Sequence, residues 1–145
     1  MKTLKVFSDL SELSKIKSFL EDIFDGLDLP ENDSFGIELS LQEICVNITR
    51  YAYPESKGEI HLKSWMENKR IYFEIADAGI PFNPLEVEKP DLQEMIRKEQ
   101  KGGLGIFLTI KLMDGVSYTR DGDRNILTMH KEINKPPESE MPDSV

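Results

Sequence analysis

Residues 39–53 read LSLQEICVNITRYAY, and their spacing predicts the last turns of a long helix. At 100° per residue, one arc of this helix is apolar and should face the core. Its members are Ile37, Leu41, Ile44, Ile48 and Tyr51. Glu43, Asn47 and Arg50 form a polar stripe roughly 120° from the centre of that arc. Because this stripe lies beside the buried face, its side chains can reach one group bound between the helix and its neighbours.

A carboxylate, an amide and a guanidinium one turn apart are a candidate set of contacts for a metal-bound phosphate. A polar stripe on a helix is also the ordinary appearance of a solvated surface, and the stripe alone does not separate these two interpretations. Two later stretches of the chain bear on the choice.

Composition limits the classes of protein to consider. With 145 residues, 39% hydrophobic and 31% charged, the chain fits one globular domain. The formal net charge of −9 repels phosphate backbones and anionic lipid, which argues against direct nucleic-acid or membrane binding. We expect neither a signal peptide nor a membrane span, because no stretch of 18 consecutive apolar residues occurs. The single cysteine, Cys45, cannot form an internal disulfide, and a cytoplasmic location is expected.

Apolar periodicity, caps and turn residues predict five strands and three helices. Strands are expected at residues 4–7, 59–66, 70–76, 116–120 and 125–131, with turns at 67–69 and 121–123. Helices are expected from Asp9 to Gly26, from about Asn32 to Pro54, and at 104–113 with Gly115 as the stop. The fold class is therefore α+β: a two-layer α/β sandwich, with helices on one face of a mixed, mainly antiparallel sheet.

Two segments lack this regularity. Residues 80–101 contain three prolines and many charges, and we expect a mobile loop or lid with a short helical stretch at 92–98. Residues 135–145 are acidic and proline-rich, and we expect a disordered tail after a domain that spans residues 1–134.

The second informative stretch, residues 77–84, reads DAGIPFNP and directly follows a predicted strand. A carboxylate at a strand end can accept a hydrogen bond from the exocyclic amine of adenine and would repel the carbonyl of guanine. Asp77 is thus a candidate for choosing ATP over GTP, and Gly79 would let the backbone pass close to the base. The competing interpretation is an ordinary turn, because Asp and Gly are common in turns.

The third stretch, residues 101–105, reads KGGLG and opens the last predicted helix. Its glycines leave backbone N–H groups unshielded where the helix dipole is positive, which suits a phosphate chain. No GK[ST] follows, and the spacing is not GxGxxG, so the two commonest nucleotide motifs are excluded.

In their order and separation, these motifs resemble the N, G1 and G2 boxes of the GHKL ATPases, the Bergerat-fold family that includes gyrase, Hsp90, histidine kinases and MutL. The motifs are Glu43-x-x-x-Asn47, Asp77-x-Gly79 and Gly102-Gly103-Leu104-Gly105. Within that family, PFNP and GGLGIFLTIKLMD are most similar to the anti-sigma-factor serine/threonine kinases of the RsbW and SpoIIAB type. The resemblance covers about residues 4–133.

The resemblance implies ATP and Mg²⁺ as cofactors. It implies that Asn47 helps to hold Mg²⁺ and that Glu43 is the general base that takes a proton from the substrate hydroxyl. Asp77 would read adenine, and Thr128, in the segment NILTMHK, would support the adenine site. Phosphoryl transfer needs mainly positioning and charge neutralisation, and these roles fit that requirement.

The resemblance also implies a wider set of nucleotide contacts. They are Arg50, Tyr51, Gly79, Phe82, Lys101, Gly102, Gly103, Leu104 and Gly105. Tyr51 stands where the anti-sigma group often has His. The pair Arg50-Tyr51 is more similar to the basic-aromatic pair of histidine kinases, in which the first residue touches phosphate and the second packs on adenine.

The function that the resemblance implies is a serine/threonine protein kinase that phosphorylates an anti-anti-sigma partner of the STAS fold and sequesters a sigma factor. Homodimers are common in that family. Two alternatives stay open: a nucleotide-responsive module that binds a regulator without transferring phosphate, and a detached ATP-binding domain of a histidine-kinase pathway. Glu43 separates the kinase from the binding module, because a binding module needs no base there.

Overall fold

Five strands form one sheet in this protein, whose computed structural model describes residues 1–86 and 104–133. The strands are β1 (Lys2–Phe7), β2 (Glu59–Glu67), β3 (Arg70–Asp77), β4 (Gly115–Asp121) and β5 (Arg124–Glu132). Their order across the sheet is β1-β2-β3-β5-β4, and each neighbouring pair is antiparallel. The antiparallel character is confirmed. The expected mixed component is absent from the described strands, which contain no parallel pair.

Within the described ranges, three α-helices pack on one face of this sheet. They are α1 (Leu13–Phe24), α2 (Glu31–Asn47) and α3 (Leu104–Leu112). Alternate side chains of β3, at Ile71, Phe73 and Ile75, are buried in one cluster with Ile16 of α1 and Ile37 of α2. The two-layer α+β sandwich expected from the sequence is thus confirmed. In the described ranges, no helix combines the length and the apolarity that crossing a membrane requires.

The turns of the two hairpins follow from their residues. In the β2–β3 turn, Asn68 and Lys69 have φ of 52° and 62°, as a two-residue type I′ turn requires. Glu67 pairs with Arg70, so this turn is one residue shorter than the sequence predicted. In the β4–β5 turn, Gly122 takes φ of 61°, which confirms the predicted glycine turn.

The entry to α1 is built as predicted. Asp9 accepts a hydrogen bond from the Ser11 N–H at 3.0 Å and caps a short 3₁₀ turn, Leu10–Glu12, which leads into the helix. The Glu12 carboxylate accepts from the backbone N–H of Phe7 at 3.1 Å. The Asp9 and Glu12 side chains thus satisfy one backbone donor in the 3₁₀ turn and one in the last residue of β1.

The main departure from the predicted helices is at the end of α2. The α-helix stops at Asn47, and Ile48–Ala52 form a π-helical turn where regular helix was predicted as far as residue 53. A π turn has more residues per turn, so the 100° projection no longer applies beyond Ile48. Tyr51 is therefore 41% exposed instead of buried, while Ala52 is buried.

The start of β4 also differs from its prediction. Gly115 is the first residue of β4, where it was expected as the stop of a helix ending at Met113. A Cβ on Gly115 would lie 2.2 Å from the His130 ring, so close cross-strand packing explains this glycine. The apolar helix α3 is buried at Ile106 and Thr109 but exposes Ile110.

Several predictions fall wholly or partly outside the described residues. Of the predicted lid at 80–101, the structure describes residues 80–86, which include a short 3₁₀ helix, Pro84–Glu86. The helical stretch expected at 92–98 and the tail at 135–145 lie outside the described ranges, and the division between domain and tail stays a prediction.

Candidate functional site

A small cavity lies between α2 and the end of the sheet formed by the last residue of β3 and the first residues of β5. Asn47 from α2, Asp77 from β3 and Asn125 from β5 line it, together with Phe82 and Ile106. Its volume is ≈20 Å³, which holds about one water molecule. The cavity brings together residues from the N-box and G1-box motifs, as the sequence predicted.

Asp77 is the one carboxylate that lines this cavity among the described residues, and it is only 3% exposed. Its Oδ1 accepts hydrogen bonds from the Gly79 N–H and from Asn125 Nδ2, each at 2.9 Å. Its Oδ2 has no hydrogen-bond partner within residues 1–86 and 104–133. Burial raises the pKa of Asp77, and the hydrogen bonds from Asn125 and Gly79 oppose that rise. One desolvated acceptor oxygen is thus held in position for a donor.

Asn125 connects Asp77 to the segment that follows β3, and sequence reasoning missed it. Besides its bond to Asp77, Asn125 Nδ2 donates to the carbonyl of Ile80 at 2.8 Å. Its Oδ1 accepts from the Phe82 N–H at 3.2 Å and from the Tyr118 hydroxyl. Asn125 is buried on the helix-facing side of β5, two residues before the buried Leu127. Asn125 is a polar residue at one of the alternate positions of β5 that are otherwise apolar, and this departure from alternation could have identified it.

Asn47 occupies the position predicted for a metal-binding amide. It is 4% exposed, and its Nδ2 donates to the Glu43 carbonyl at 2.9 Å. Its Oδ1 has no partner in the part of the chain that the structure describes. An amide oxygen suits Mg²⁺, which is typically held by one or two protein ligands together with substrate phosphates. Consistently, the described residues contain no group of three or more His, Cys, Asp or Glu that could hold a metal unaided.

The other members of the predicted polar stripe are less enclosed. Glu43 lies one turn before Asn47 on α2 and is half-buried. Arg50 lies in the π turn and is exposed, so the structure does not bring it into the cavity with Asn47. Of the three residues in the predicted stripe, only Glu43 and Asn47 therefore stay on one face, because the helix changes its geometry after Asn47.

Two predicted nucleotide contacts form an aromatic pair beside the cavity. The rings of Tyr51 and Phe82 stack with centroids 5.1 Å apart at an angle of 29°. Phe82 also lines the cavity, whereas Tyr51 is outside it and largely exposed. The π turn thus directs Tyr51 toward the segment after β3, where its ring shields Phe82.

Gly79 is explained by packing against the π turn. A Cβ added to Gly79 would lie 2.4 Å from the Ala52 carbonyl oxygen, and the next residue, Ile80, donates its N–H to the same oxygen at 2.9 Å. Arg120 donates to the Gly79 carbonyl at 2.9 Å. The close backbone approach predicted for this glycine is present, but its neighbour is the end of α2 and not the space for a base.

Thr128 is not near the cavity. Successive residues of a strand point to opposite faces of the sheet. Thr128 directly follows Leu127, which lines the cavity, so its side chain is on the opposite face. Its cross-strand neighbours are Glu74 and Ser117 on the face without helices. The structure therefore corrects the predicted adenine-site role of Thr128, and Asn125 takes the position that contacts Asp77.

The glycine-rich segment is only partly described. Lys101, Gly102 and Gly103 lie outside the described residues, and Leu104 and Gly105 form the first turn of α3. Ile106, the next residue, lines the cavity. The helix that follows the glycine-rich segment thus begins beside Asp77 and Asn47, as the predicted phosphate-binding role requires.

Cys45 lies close to this site but carries no chemistry there. Burial raises the pKa of its thiol to about 12, with a smaller contribution from the charge of Asp77. A thiol with this pKa is protonated and unreactive at neutral pH. Its place in the core cluster makes Cys45 a packing residue.

Comparison with known proteins agrees with this geometry. The family model described as histidine kinase-like ATPase domain matches residues 6–131. A curated relative, the serine-protein kinase RsbW of Bacillus mycoides, is 28% identical over 100 residues, which cover 66% of this chain and 62% of the relative. The protein of the same name from Bacillus thuringiensis is 26% identical with the same coverage. The match thus spans less than two thirds of the length of these relatives.

The solved structure of the Acinetobacter baumannii histidine kinase AdeS is similar to this chain with a TM-score of 0.52. The similarity covers 93% of this chain and 70% of AdeS, at 20% sequence identity. At this identity the likeness shows the fold, in agreement with the sandwich described above.

Proposed function

This chain belongs to the histidine kinase-like ATPase domain family, and we propose that it is an ATP-dependent serine/threonine protein kinase that acts as an anti-sigma factor. Its substrate is an anti-anti-sigma protein of the STAS fold, and its second partner is a sigma factor. The observation that carries the proposal is the buried Asp77, held with one free carboxylate oxygen beside Asn47. The name of the Bacillus relatives, serine-protein kinase, supports a hydroxyl side chain as the group that receives the phosphate.

Recognition of ATP rests on Asp77. Its free Oδ2 accepts a hydrogen bond from the exocyclic amine of adenine, and the negative charge repels the carbonyl that guanine would place there. Gly79 and Asn125 fix the carboxylate by occupying Oδ1. Because the cavity is only ≈20 Å³, entry of the base requires Phe82 and the adjoining Pro84 to move away from α2.

Phosphate and metal are held at the other side of the same cavity. Asn47 supplies its amide oxygen to Mg²⁺, which when bound neutralises the charge on the phosphates. The backbone N–H groups of residues 102–105 bind the phosphate chain at the start of α3. Lys101 adds a positive charge to this group.

Glu43 serves as the general base. In the transfer step, the substrate hydroxyl oxygen forms a bond to the γ-phosphorus while the bond from that phosphorus to the β,γ-bridging oxygen breaks, which releases ADP. The hydroxyl proton passes to the Glu43 carboxylate, which lies one helical turn from Asn47. The products are ADP and a phosphoserine or phosphothreonine on the partner.

Incubation of the chain with γ-labelled ATP, Mg²⁺ and a co-purifying STAS protein tests the proposal, with phosphoamino-acid analysis as the readout. Glu43→Gln should retain ATP affinity and lose transfer by about 10²- to 10⁴-fold, the usual contribution of a general base. Glu38→Gln is the matched control, because Glu38 is also half-buried on α2 and accepts a hydrogen bond from Gln42. Its transfer rate should be unchanged.

Three results would contradict parts of this proposal. ATP binding without any label on the STAS partner would favour a nucleotide-responsive module that binds a regulator and transfers nothing. Full transfer by Glu43→Gln would show that the base lies elsewhere. Label on histidine instead of serine or threonine would favour the histidine-kinase pathway.

A further inference from the structure

A second cavity lies at the opposite end of the sheet from the nucleotide site. It has a volume of ≈370 Å³ and is bounded by the end of α1, the first residues of β1, the end of β2 and the start of β3. Its apolar walls include Ile23, Leu27, Met66 and Ile71. Small-molecule sites typically have volumes of about 300–1,000 Å³ and mostly apolar linings with few polar groups, so this cavity falls within their range.

Ser64 is the buried polar group of this cavity. It is 4% exposed, and its hydroxyl has no hydrogen-bond partner in residues 1–86 and 104–133. The Ser40 hydroxyl also lacks a partner, but it is sealed inside the protein, whereas Ser64 lines an open space. Unlike that of Ser40, the Ser64 oxygen is not sealed from solvent, so an acceptor atom that enters the cavity can take a hydrogen bond from its hydroxyl.

A positive charge lies directly beside this hydroxyl. Lys2 lines the same cavity and is the cross-strand neighbour of Ser64 in the β1–β2 pairing. Side chains at such paired positions have Cβ atoms about 4.5–5.5 Å apart. The Lys2 ammonium donates to the Asp22 carbonyl at 3.3 Å and forms no ion pair with a described residue. A hydroxyl donor and an ammonium are thus available to the same acceptor.

We propose that this cavity binds a small amphipathic carboxylate: the carboxylate is held by Ser64 and Lys2, and its aliphatic chain lies along Ile23, Leu27 and Met66. The Ser64 hydroxyl donates to one carboxylate oxygen, and Lys2 pairs with the charge. Burial of the chain against the apolar walls supplies the remaining affinity. The proposal does not depend on the proposed kinase function.

The two sites are far enough apart to be tested independently. Ile71 and Asp77 lie near opposite ends of β3, and six residues of antiparallel strand span about 20 Å. A change beside Ser64 should therefore leave ATP affinity unaltered, which also serves as a check that each variant is folded. Failure of carboxylate binding would leave the nucleotide proposal intact.

Titration of the full chain with decanoate, kept below its micelle concentration, tests the proposal. Isothermal titration calorimetry should show saturable binding. In a parallel NMR titration, the amide signals of Ser64, Met66 and Ile71 should shift, while that of Asp77 should not. Decanol should bind about 10-fold more weakly because it lacks the anion. Decyltrimethylammonium should bind more weakly still, because its positive charge faces that of Lys2.

Matched variants locate the site. Ser64→Ala should weaken decanoate binding about 10-fold, and Lys2→Gln should do the same while leaving decanol unaffected. The control for Lys2 is Lys5→Gln, because Lys5 lies on the same strand but pairs with Glu59. For the apolar wall, Leu27→Ala should weaken all three ligands.

Leu29→Ala is the control for the wall, because Leu29 is also partly buried against the core but does not line the cavity. Its decanoate affinity should be unchanged. Absence of saturable binding, equal affinity for decanoate and decyltrimethylammonium, or equal loss in Leu27→Ala and Leu29→Ala would each overturn the proposal.

Discussion

At the scale of single residues, the hydrogen bonds of Asp77 make a sharp substitution possible. In Asp77→Asn the amide oxygen can keep both bonds that Oδ1 now accepts, from Gly79 and Asn125, while an NH₂ group replaces the unpaired Oδ2. ATP affinity should fall about 10- to 100-fold, since a donor then faces the adenine amine. The ratio of GTP affinity to ATP affinity should rise, because the carbonyl of guanine can accept a hydrogen bond from that amide. Calorimetry with both nucleotides measures the change.

The control for this substitution is Asp121→Asn, at the exposed end of β4, which should leave both affinities unchanged. Equal ATP affinity in wild type and Asp77→Asn would remove Asp77 from the adenine site. An affinity lost together with the cooperative melting transition would instead indicate a structural role.

The same residue predicts a pH dependence of stability. Burial raises the pKa of Asp77 above its ordinary value of 3.8, so the folded chain holds this proton more tightly than the unfolded chain. Wild type should therefore lose stability relative to Asp77→Asn as pH rises from below 3.8 through the folded pKa, and the difference should be constant above it. Urea denaturation of both proteins across this range measures the difference. If wild type instead gained stability relative to Asp77→Asn with rising pH, the pKa of Asp77 would be lower in the folded chain than in the unfolded chain.

Asn125 provides a second prediction at this scale. Asn125→Ala removes donors from Asp77 and Ile80 and leaves buried acceptors unpaired, so the free energy of unfolding should fall by about 1–3 kcal/mol. ATP affinity should fall as well, because Asp77 loses one of the two bonds that orient it. Thr128→Ala, on the opposite face of the same strand, should change neither quantity. Equal effects of the two substitutions would contradict the assignment of Asn125.

At the scale of elements, the contact between the π turn and the segment after β3 makes one glycine much less tolerant of alanine than another. A Cβ on Gly79 would lie 2.4 Å from the Ala52 carbonyl oxygen, so Gly79→Ala must displace one of the two segments. We expect a loss of about 1–3 kcal/mol in the free energy of unfolding. Gly36 in α2 has only ordinary contacts, the nearest at 3.6 Å from Leu112. Gly36→Ala should therefore be neutral or stabilising by up to about 1 kcal/mol.

Chemical denaturation of the two variants beside wild type measures both effects. Gly79→Ala should also weaken ATP binding, because the residue follows Asp77 by only two positions and donates to it. If Gly79→Ala proved as stable as Gly36→Ala, the π turn would not constrain this segment.

These elements also show what could be predicted from sequence. The strands, the turn at Gly122 and the pairing of Asn47 with Asp77 in one cavity followed from local periodicity and motif spacing. The π turn did not, because Ile80 stabilises it by donating to Ala52 from a distant part of the chain. Asn125 was missed for a similar reason. It lies 48 residues from Asp77 and becomes its neighbour only through the β3–β5 pairing.

At the scale of the whole molecule, the proposed nucleotide site joins the two layers of the sandwich. Asn47 belongs to the helical layer, whereas Asp77 and Asn125 belong to the sheet. A ligand that binds both layers is lost when either unfolds, so ATP should stabilise the domain as one cooperative unit. The second cavity lies at the other end of β3, and its ligand should add stability independently of ATP.

Linkage gives this expectation a magnitude. A ligand present at 100 times its Kd adds about 2.7 kcal/mol to the free energy of unfolding, which corresponds to a rise in Tm of about 5–10 °C for a domain of this size. Mg-ATP should produce this shift in a single transition, and GTP at the same concentration should produce little, because Asp77 rejects its base. In Asp77→Asn the ATP shift should fall to about half or less, while the Tm without ligand should be at least that of wild type. An equal shift with GTP in the wild-type protein would mean that the phosphates alone supply the affinity, and the role of Asp77 would then have to be abandoned.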